Sequence, residues 1–268
     1  MHTIVSAALP VAAIGLVCGV ILALASHLLA TSSDEKLSAL RAALPGVNCG
    51  ACGYSGCDGY AQALVSSTEH RVNLCSSGGA ATAQALASLL DADAVAAVPM
   101  VAHVFCRGSC EHTTARMEYH GIQSCAAAQL LYGGPGKCVY GCLGYGDCAA
   151  VCPQDAIHME NGLASVDRSL CLSCGQCAAA CPVSVIRCVS ARQPVAVSCS
   201  SPDHGKAVRQ ACSAGCLGCG SCIKACPNDA IHLENALAVV DTTVCTGCVQ
   251  CVTACPVGVI QALFYPAK

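Results

Sequence analysis

The first charged side chain along the sequence is Asp34. Before it, Ile4 to Ala30 reads IVSAALPVAAIGLVCGVILALASHLLA, 27 predominantly apolar residues with no Asp, Glu, Lys or Arg. About 20 such residues are enough for a helix to cross the hydrocarbon core of a bilayer. The pattern therefore predicts a single membrane-spanning helix. Pro10 falls in its first turns, where a missing amide donor costs least. Gly15, Gly19 and Ala23 recur every four residues and form a small-residue stripe, the kind that lets a partner helix approach closely. A cleaved signal peptide would start with a basic stretch and carry a shorter apolar run, so an uncleaved anchor is expected. Lys36 and Arg41 follow the segment and no Lys or Arg precedes it, which places the remainder of the chain on the cytoplasmic side.

Beyond the apolar segment the pattern changes period. Ala80 to Val98 is rich in Ala and Leu and reads as a helix and a linker ending at Pro99. VAHVF before Cys106 and VAVS before Cys199 read as short strands. DAIHMENGLASVD (155–167) and DAIHLENALAVVD (229–241) alternate apolar and polar residues around Asn-Gly or Asn-Ala, the signature of a hairpin. These two stretches belong to a repeat. Residues 138–186 align without a gap on 212–260, an offset of 74 that also brings Cys125 onto Cys199. Duplication of one supersecondary unit is the simplest account. His158 and His232 occupy equivalent strand positions and are expected to be structural.

Composition sharpens this picture. The 268 residues include 27 cysteines, while aromatics are 3% and charged residues 11%. An odd cysteine count in a chain of this length does not fit a disulfide scaffold. Lys+Arg 13 against Asp+Glu 16 gives no basic surface for nucleic acid. The chain is organised around something its cysteines hold.

Their spacing says what. Cys171, Cys174, Cys177 and Cys181-Pro182 form C-x2-C-x2-C-x3-C-P, as do Cys216, Cys219, Cys222 and Cys226-Pro227, and Cys245, Cys248, Cys251 and Cys255-Pro256. In this bacterial ferredoxin run three cysteines hold one [4Fe–4S] cluster and the fourth holds its neighbour. Zinc sites use separated C-x2-C pairs or mix Cys with His, which fits tandem four-cysteine runs poorly. The crossed assignment pairs Cys216, Cys219 and Cys222 with Cys255, and Cys245, Cys248 and Cys251 with Cys226. In the first unit Cys171, Cys174 and Cys177 pair with Cys152. The other set is short of one cysteine, because Tyr145 stands where the repeat has Cys219. Cys142, Cys148 and Cys181 remain, with Cys138 as the expected fourth ligand and a three-iron cluster as the alternative.

NCGACGYSGC just after the apolar segment has a different spacing. Cys49, Cys52, Cys57 and the later Cys75 are read as a separate [4Fe–4S] site, with redox disulfide chemistry at Cys49/Cys52 as its rival. Gly50, Gly53 and Gly56 lack Cβ atoms, so backbone amides can approach the sulfurs. Cys106, Cys110, Cys125, Cys199 and Cys212 are left over; Cys106, Cys110 and Cys125 are candidates for a sixth cluster, with a fourth ligand from Cys138, Cys199 or Cys212. Cys188 and Cys18 are expected to be inert.

The expected fold is thus α+β: a single N-terminal transmembrane helix (1–30), a small four-cysteine [4Fe–4S] domain (31–80), a linker with an extra cysteine segment (81–135), then duplicated bacterial ferredoxin-like units (136–190 and 191–268). Five [4Fe–4S] clusters are expected, six if the extra group forms one. With about −2 per cluster and its four thiolates, the formal charge of −3 falls to about −13 or −15. A negative carrier would then need a local basic patch to dock, with Arg107, Arg116, Lys137, Lys206 and Arg209 as candidates. No Gly-rich dinucleotide loop and no acid–base or nucleophile arrangement stands out, so no catalytic residue and no complete NAD site is assigned.

The order NCGACGYSGC, VFCRGSC, GGPGKCVYGCLGYGDCAAVCPQDAI and tandem ferredoxin runs resembles the B subunits of Rnf complexes, the ion-translocating ferredoxin:NAD oxidoreductases, in their extended ferredoxin-like form. The resemblance covers nearly the whole chain, and the four-cysteine site behind the anchor is its most specific part. It implies a single-pass inner-membrane protein that takes electrons from reduced ferredoxin and hands them to other membrane and flavin-bearing subunits. A wiring subunit of another membrane reductase would look the same in this chain. A membrane-tethered cluster sensor would need an output domain, and a corrinoid-protein activator an ATP or corrinoid domain; neither is visible.

Overall fold

The structure, a computed structural model, describes residues 15–21, 24, 32–93 and 99–263. Most of the apolar segment 4–30, and with it the expected spanning helix, lies outside these residues. Among the described residues no helix is long and apolar enough to cross a membrane. Residues 15–21 are helical, and their apolar side chains are exposed: Leu16 is 70% and Ile21 59% accessible.

Three helices make the first domain: Ser32–Ala43, Cys57–Val65 and Gly79–Leu90. In the last of these the buried residues are Thr82, Ala83, Leu86 and Ala87. They fall on one face of a 3.6-residue helix, and Asp91 closes it in the left-handed region at φ 49°. That face meets Leu40, Tyr60, Leu64 and Val72 in one core. The domain therefore extends past residue 80, and the Ala/Leu stretch is part of its core as well as a connector. Tyr60 is fully buried and donates its hydroxyl to the Arg71 carbonyl at 2.6 Å.

The remainder is built twice. Strand β1 (Met100–Val104) pairs antiparallel with β4 (Ile186–Ser190), and the hairpin β2 (Ile157–Glu160)–β3 (Leu163–Val166) packs beside them. In the second unit β5 (Val195–Val197) pairs with β8 (Ile260–Ala262), and β6 (Ile231–Glu234)–β7 (Leu237–Val240) is the hairpin. The strand expected from VAHVF thus forms, but it is the outer strand of the first ferredoxin unit, inside the stretch 81–135 expected to be linker. The hairpins turn at Asn161-Gly162 and Asn235-Ala236, all four residues at positive φ, the twist that a two-residue hairpin turn requires. His158 and His232 sit on these hairpins and are exposed; His232 meets Glu234 at 2.8 Å.

Each unit has its own core, and both cores are made largely of cysteines with Val and Ile. Cys148, Cys177, Val185 and Ile186 fill the first; Cys216, Cys222, Cys251, Val259 and Ile260 fill the second. Short helices Asp147–Ala150, Gln176–Ala180, Ser221–Lys224 and Gln250–Ala254 carry the third cysteine of each run into them.

Candidate metal centres

Cys49, Cys52, Cys57 and Cys75 line one cavity of about 320 Å³ of empty space. Cys57 opens the helix Cys57–Val65, and its amide is capped by Asn48 Oδ1 at 2.9 Å. A Cβ on Gly56 would stand 3.1 Å from that oxygen, at φ 130°, so glycine is needed for the loop to close around the thiols. Burial pushes the Cys75 thiol up, and Cys57, Cys49 and Cys52 push it further.

In the second unit, Cys216, Cys219, Cys222 and Cys255 line a cavity of about 340 Å³, and Cys226, Cys245, Cys248 and Cys251 one of about 310 Å³. The fourth cysteine of each run thus lines the other run's cavity. Burial pushes Cys222 up to about 11, reinforced by Cys216. Cys219 differs: it is exposed, and its hydrogen bonds with the Ser221 side chain and backbone lower it.

In the first unit Cys174 is raised by burial and then by charge on Cys49, Cys152 and Cys171. Cys177 goes to about 12 through burial, then Cys188, Cys171 and Cys174. Cys188, expected to be inert, lies against this group. Around the set short of a cysteine the structure places a different thiol from the expected one. Burial, then Cys142, Cys125 and Cys181, act on Cys148, whose thiol rises to about 11. Cys142 is likewise raised by burial and then by Cys125 and Cys181. The structure therefore brings Cys125, and not Cys138, to Cys142, Cys148 and Cys181. The reason is Asp147: its carboxylate accepts the amides of Cys125 and Ala126 at 2.9 and 3.0 Å and the Ser124 hydroxyl at 2.9 Å. Burial of Asp147 alone would raise its carboxyl, but these donors outweigh it and hold it low.

Cys138 is placed with Cys106, Cys199 and Cys212 around a larger, partly open cavity between the two units. Cys110 lines this cavity but is exposed. The signal for this grouping was present in the sequence. Cys106 and Cys199 each follow a predicted strand, and Cys138 and Cys212 match at the 74 offset. The gapless alignment instead paired Cys199 with Cys125.

The donor sets fit iron–sulfur clusters. Each cavity offers thiols with apolar neighbours, and amides point at the sulfurs. Ala156 donates to Cys152 Sγ and Ala230 to Cys226 Sγ, both at 3.3 Å and 74 residues apart. Ala102 donates to Cys171 Sγ at 3.4 Å. Such N–H···S contacts are one way a protein sets a cluster's potential. Among the described residues no three His, Cys, Asp or Glu side chains lie close enough for a single ion. Thiolates around one zinc sit about 2.3 Å from it, whereas thiols spread around a cavity suit a cube.

The sites also adjoin one another. Ser76 Oγ beside Cys75 donates to the Ser173 carbonyl beside Cys174 at 3.1 Å. The Cys142 amide donates to Cys106 Sγ at 3.4 Å. Cys199 packs in one core with Cys216 and Cys222.

A separate four-cysteine domain followed by paired ferredoxin units, with their thiols gathered around adjoining cavities, defines a multi-site iron–sulfur electron carrier. Family models agree with the class: an Fe-S cluster domain matches residues 44–76, an LdpA Fe-S cluster-binding domain 145–192, and a 4Fe-4S dicluster domain 215–259. Cys106, Cys125, Cys138, Cys199 and Cys212 lie outside all three. The chain is 46% identical, over 91% of its length and 86% of the relative's, to the B subunit of the proton-translocating ferredoxin:NAD(+) oxidoreductase complex of Clostridium ljungdahlii. It is 43% identical to the B subunit of the Na(+)-translocating complex of Acetobacterium woodii, over 85% of this chain and 68% of that one. It is 37% identical to the B subunit of the ion-translocating oxidoreductase complex of Methanosarcina acetivorans, over 86% and 87%. The chain belongs to this family, the B subunits of the ion-translocating ferredoxin:NAD(+) oxidoreductase (Rnf) complex.

Proposed function

We propose that this electron-transfer subunit receives electrons from reduced ferredoxin at its second ferredoxin unit and delivers them at the Cys49 site to membrane-bound and flavin-bearing partners. When bound, [4Fe–4S] clusters supply one-electron redox chemistry. The ligand sets are Cys49, Cys52, Cys57 and Cys75; Cys152, Cys171, Cys174 and Cys177; Cys125, Cys142, Cys148 and Cys181; Cys216, Cys219, Cys222 and Cys255; and Cys226, Cys245, Cys248 and Cys251.

The observation that carries the direction is the contrast between the two ends. Cys219 and Cys248 are exposed, so a soluble carrier can come close to the second unit. Cys174, the counterpart of Cys248, is instead covered by the Cys49 domain through Ser76 and Ser173. That domain follows the apolar segment 4–30, which serves in this reading as the membrane anchor. Its described helical residues present Leu16, Val17, Val20 and Ile21 outward, as a lipid-facing helix would.

The chain's own residues hold the thiols and aim amides at sulfur. Docking falls to Lys137, Lys206 and Arg209, which line the outside of the two units. Arg107 and Arg116 are already engaged, Arg107 with the Gly258 carbonyl at 3.0 Å and Arg116 with the Tyr132 and Gly134 carbonyls. Rapid mixing of the complex with reduced ferredoxin tests the reading. Lys206→Glu with Arg209→Glu should slow cluster reduction about tenfold at low salt and flatten its ionic-strength dependence. A wild-type rate unchanged from low to high salt would count against docking there.

A further inference from the structure

We propose that Cys106, Cys138, Cys199 and Cys212 hold a sixth [4Fe–4S] cluster, shared between the two ferredoxin units. It rests on reading the other five thiol sets as cluster sites. The four residues lie far apart in the sequence, and the duplicated fold explains why they meet. Cys106 follows strand β1 and Cys199 follows β5, so each unit contributes the cysteine after its outer strand. Cys138 and Cys212 each stand four residues before the first ferredoxin cysteine, Cys142 or Cys216. Each unit thus supplies the same pair, and the two pairs face each other across one cavity.

The cavity is built for close approach. A Cβ on Gly108 would lie 3.5 Å from both Cys106 Sγ and Cys212 Sγ. A Cβ on Gly141 would lie 3.5 Å from Cys138 Sγ and 3.6 Å from Cys106 Sγ. The sulfurs of the two units therefore converge over backbone without side chains. Cys106 Sγ accepts the amides of Gly108 and Cys142 at 3.3 and 3.4 Å. Cys199 and Cys212 are buried. Hydrogen bonds across the interface hold the halves in register: Ser213 amide to His112 carbonyl and Thr113 hydroxyl to Ala211 carbonyl, both 2.9 Å, and Ser200 hydroxyl to Phe105 carbonyl, 3.0 Å. Cys110 stands aside. Its amide bonds Asn161, and its sulfur packs against Gly162 at the tip of the β2–β3 hairpin. The shared site lies between Cys142 of one unit and Cys216 of the other, so it fills the gap between the two ferredoxin halves.

The test is iron, acid-labile sulfide and zinc per full-length chain, reconstituted anaerobically with ferrous iron and sulfide, with Mössbauer quantitation of the clusters. About 24 iron atoms are expected in the unaltered chain and about 20 in Cys199→Ala/Cys212→Ala. Cys106→Ala/Cys138→Ala, altered in the other unit, should lose the same four, and the quadruple variant no more than four. Cys110→Ala should lose none. About 20 iron atoms in the unaltered chain, no loss in either pair, an additive loss in the quadruple variant, or stoichiometric zinc released by the pair variants would each overturn the shared cluster while leaving the other five. Iron well below about 20 in the unaltered chain would overturn the underlying reading as well.

Discussion

The second ferredoxin unit is self-contained and the first is not. Between Cys216 and Cys255 the second unit supplies all eight thiols of its two cavities. The first has Tyr145 where the second has Cys219, and it recruits Cys125 from a segment that the second unit lacks. Tyr145 helps to hold that segment, with its ring 5.6 Å from Tyr119. Two further differences go the other way. Gly175 precedes the helix of the first unit at φ 75°, whereas the second unit places Val249 there at φ 54°. The first hairpin turns on Gly162, where a Cβ would meet Cys110 Sγ at 2.6 Å; the second turns on Ala236 at φ 61°. One duplicated backbone therefore gathers its thiols from different sources, provided that a neighbouring segment can be pinned in place. The exchange also runs in reverse: Ser173 and Ser184 of the first unit are left-handed at φ 58° and 53°, where the second unit has Gly247 and Gly258.

The largest expected effect breaks this asymmetry directly. Cys125→Ala should remove about four iron atoms per chain, as Cys219→Ala should in the second unit. A full iron complement in Cys125→Ala would return the role to Cys138. Next, Asp147→Ala removes three hydrogen bonds to the Cys125 segment and should cost about 2 kcal/mol, read as a lower denaturation midpoint. The equivalent position is Ser221, and Ser221→Ala should cost less. Smaller still, Val249→Gly relieves a β-branched residue from a left-handed conformation and should stabilise the second unit by about 1 kcal/mol. Gly175→Val should destabilise the first.

The smallest effect is one of pH. Burial, with help from Arg168 and Arg187, lowers His103 to about 4, and its Nε2 meets Ser198 at 3.0 Å between the units. Its unfolded value is about 6.5. Between these values the unfolded chain binds the extra proton, so stability rises with pH across that window and falls as the solution is acidified. His103→Gln should flatten the melting temperature between about pH 4.5 and about pH 6.5, a window set by about 4 folded and about 6.5 unfolded. An unchanged acid slope in the variant would show that other groups set it.

Much of this molecule was legible in its sequence. The hairpins at Asn161-Gly162 and Asn235-Ala236 and the strand at VAHVF follow from period. The first unit was harder to read. The segment between Cys106 and Cys138 moves its outer strand to 93 residues from its equivalent, Cys106 against Cys199, while the cysteine runs keep an offset of 74. Nearness along the chain, four residues before Cys142, therefore points to Cys138 for the incomplete set, and β1 falls in the stretch read as a linker. The Ala/Leu stretch showed a helix but not its partner, because an apolar face does not name what it packs against.

Spacing along the chain determined which thiols share a loop, because three cysteines two residues apart on a tight turn must point to one place. The tertiary structure decided which distant thiols join them. The pairing of β1 with β4 and β5 with β8 sets Cys106 opposite Cys199. A carboxylate 22 residues away holds Cys125 beside Cys148. A ligand set is closed by convergence in space, and convergence across long separations depends on strand pairing and capping that no local pattern encodes.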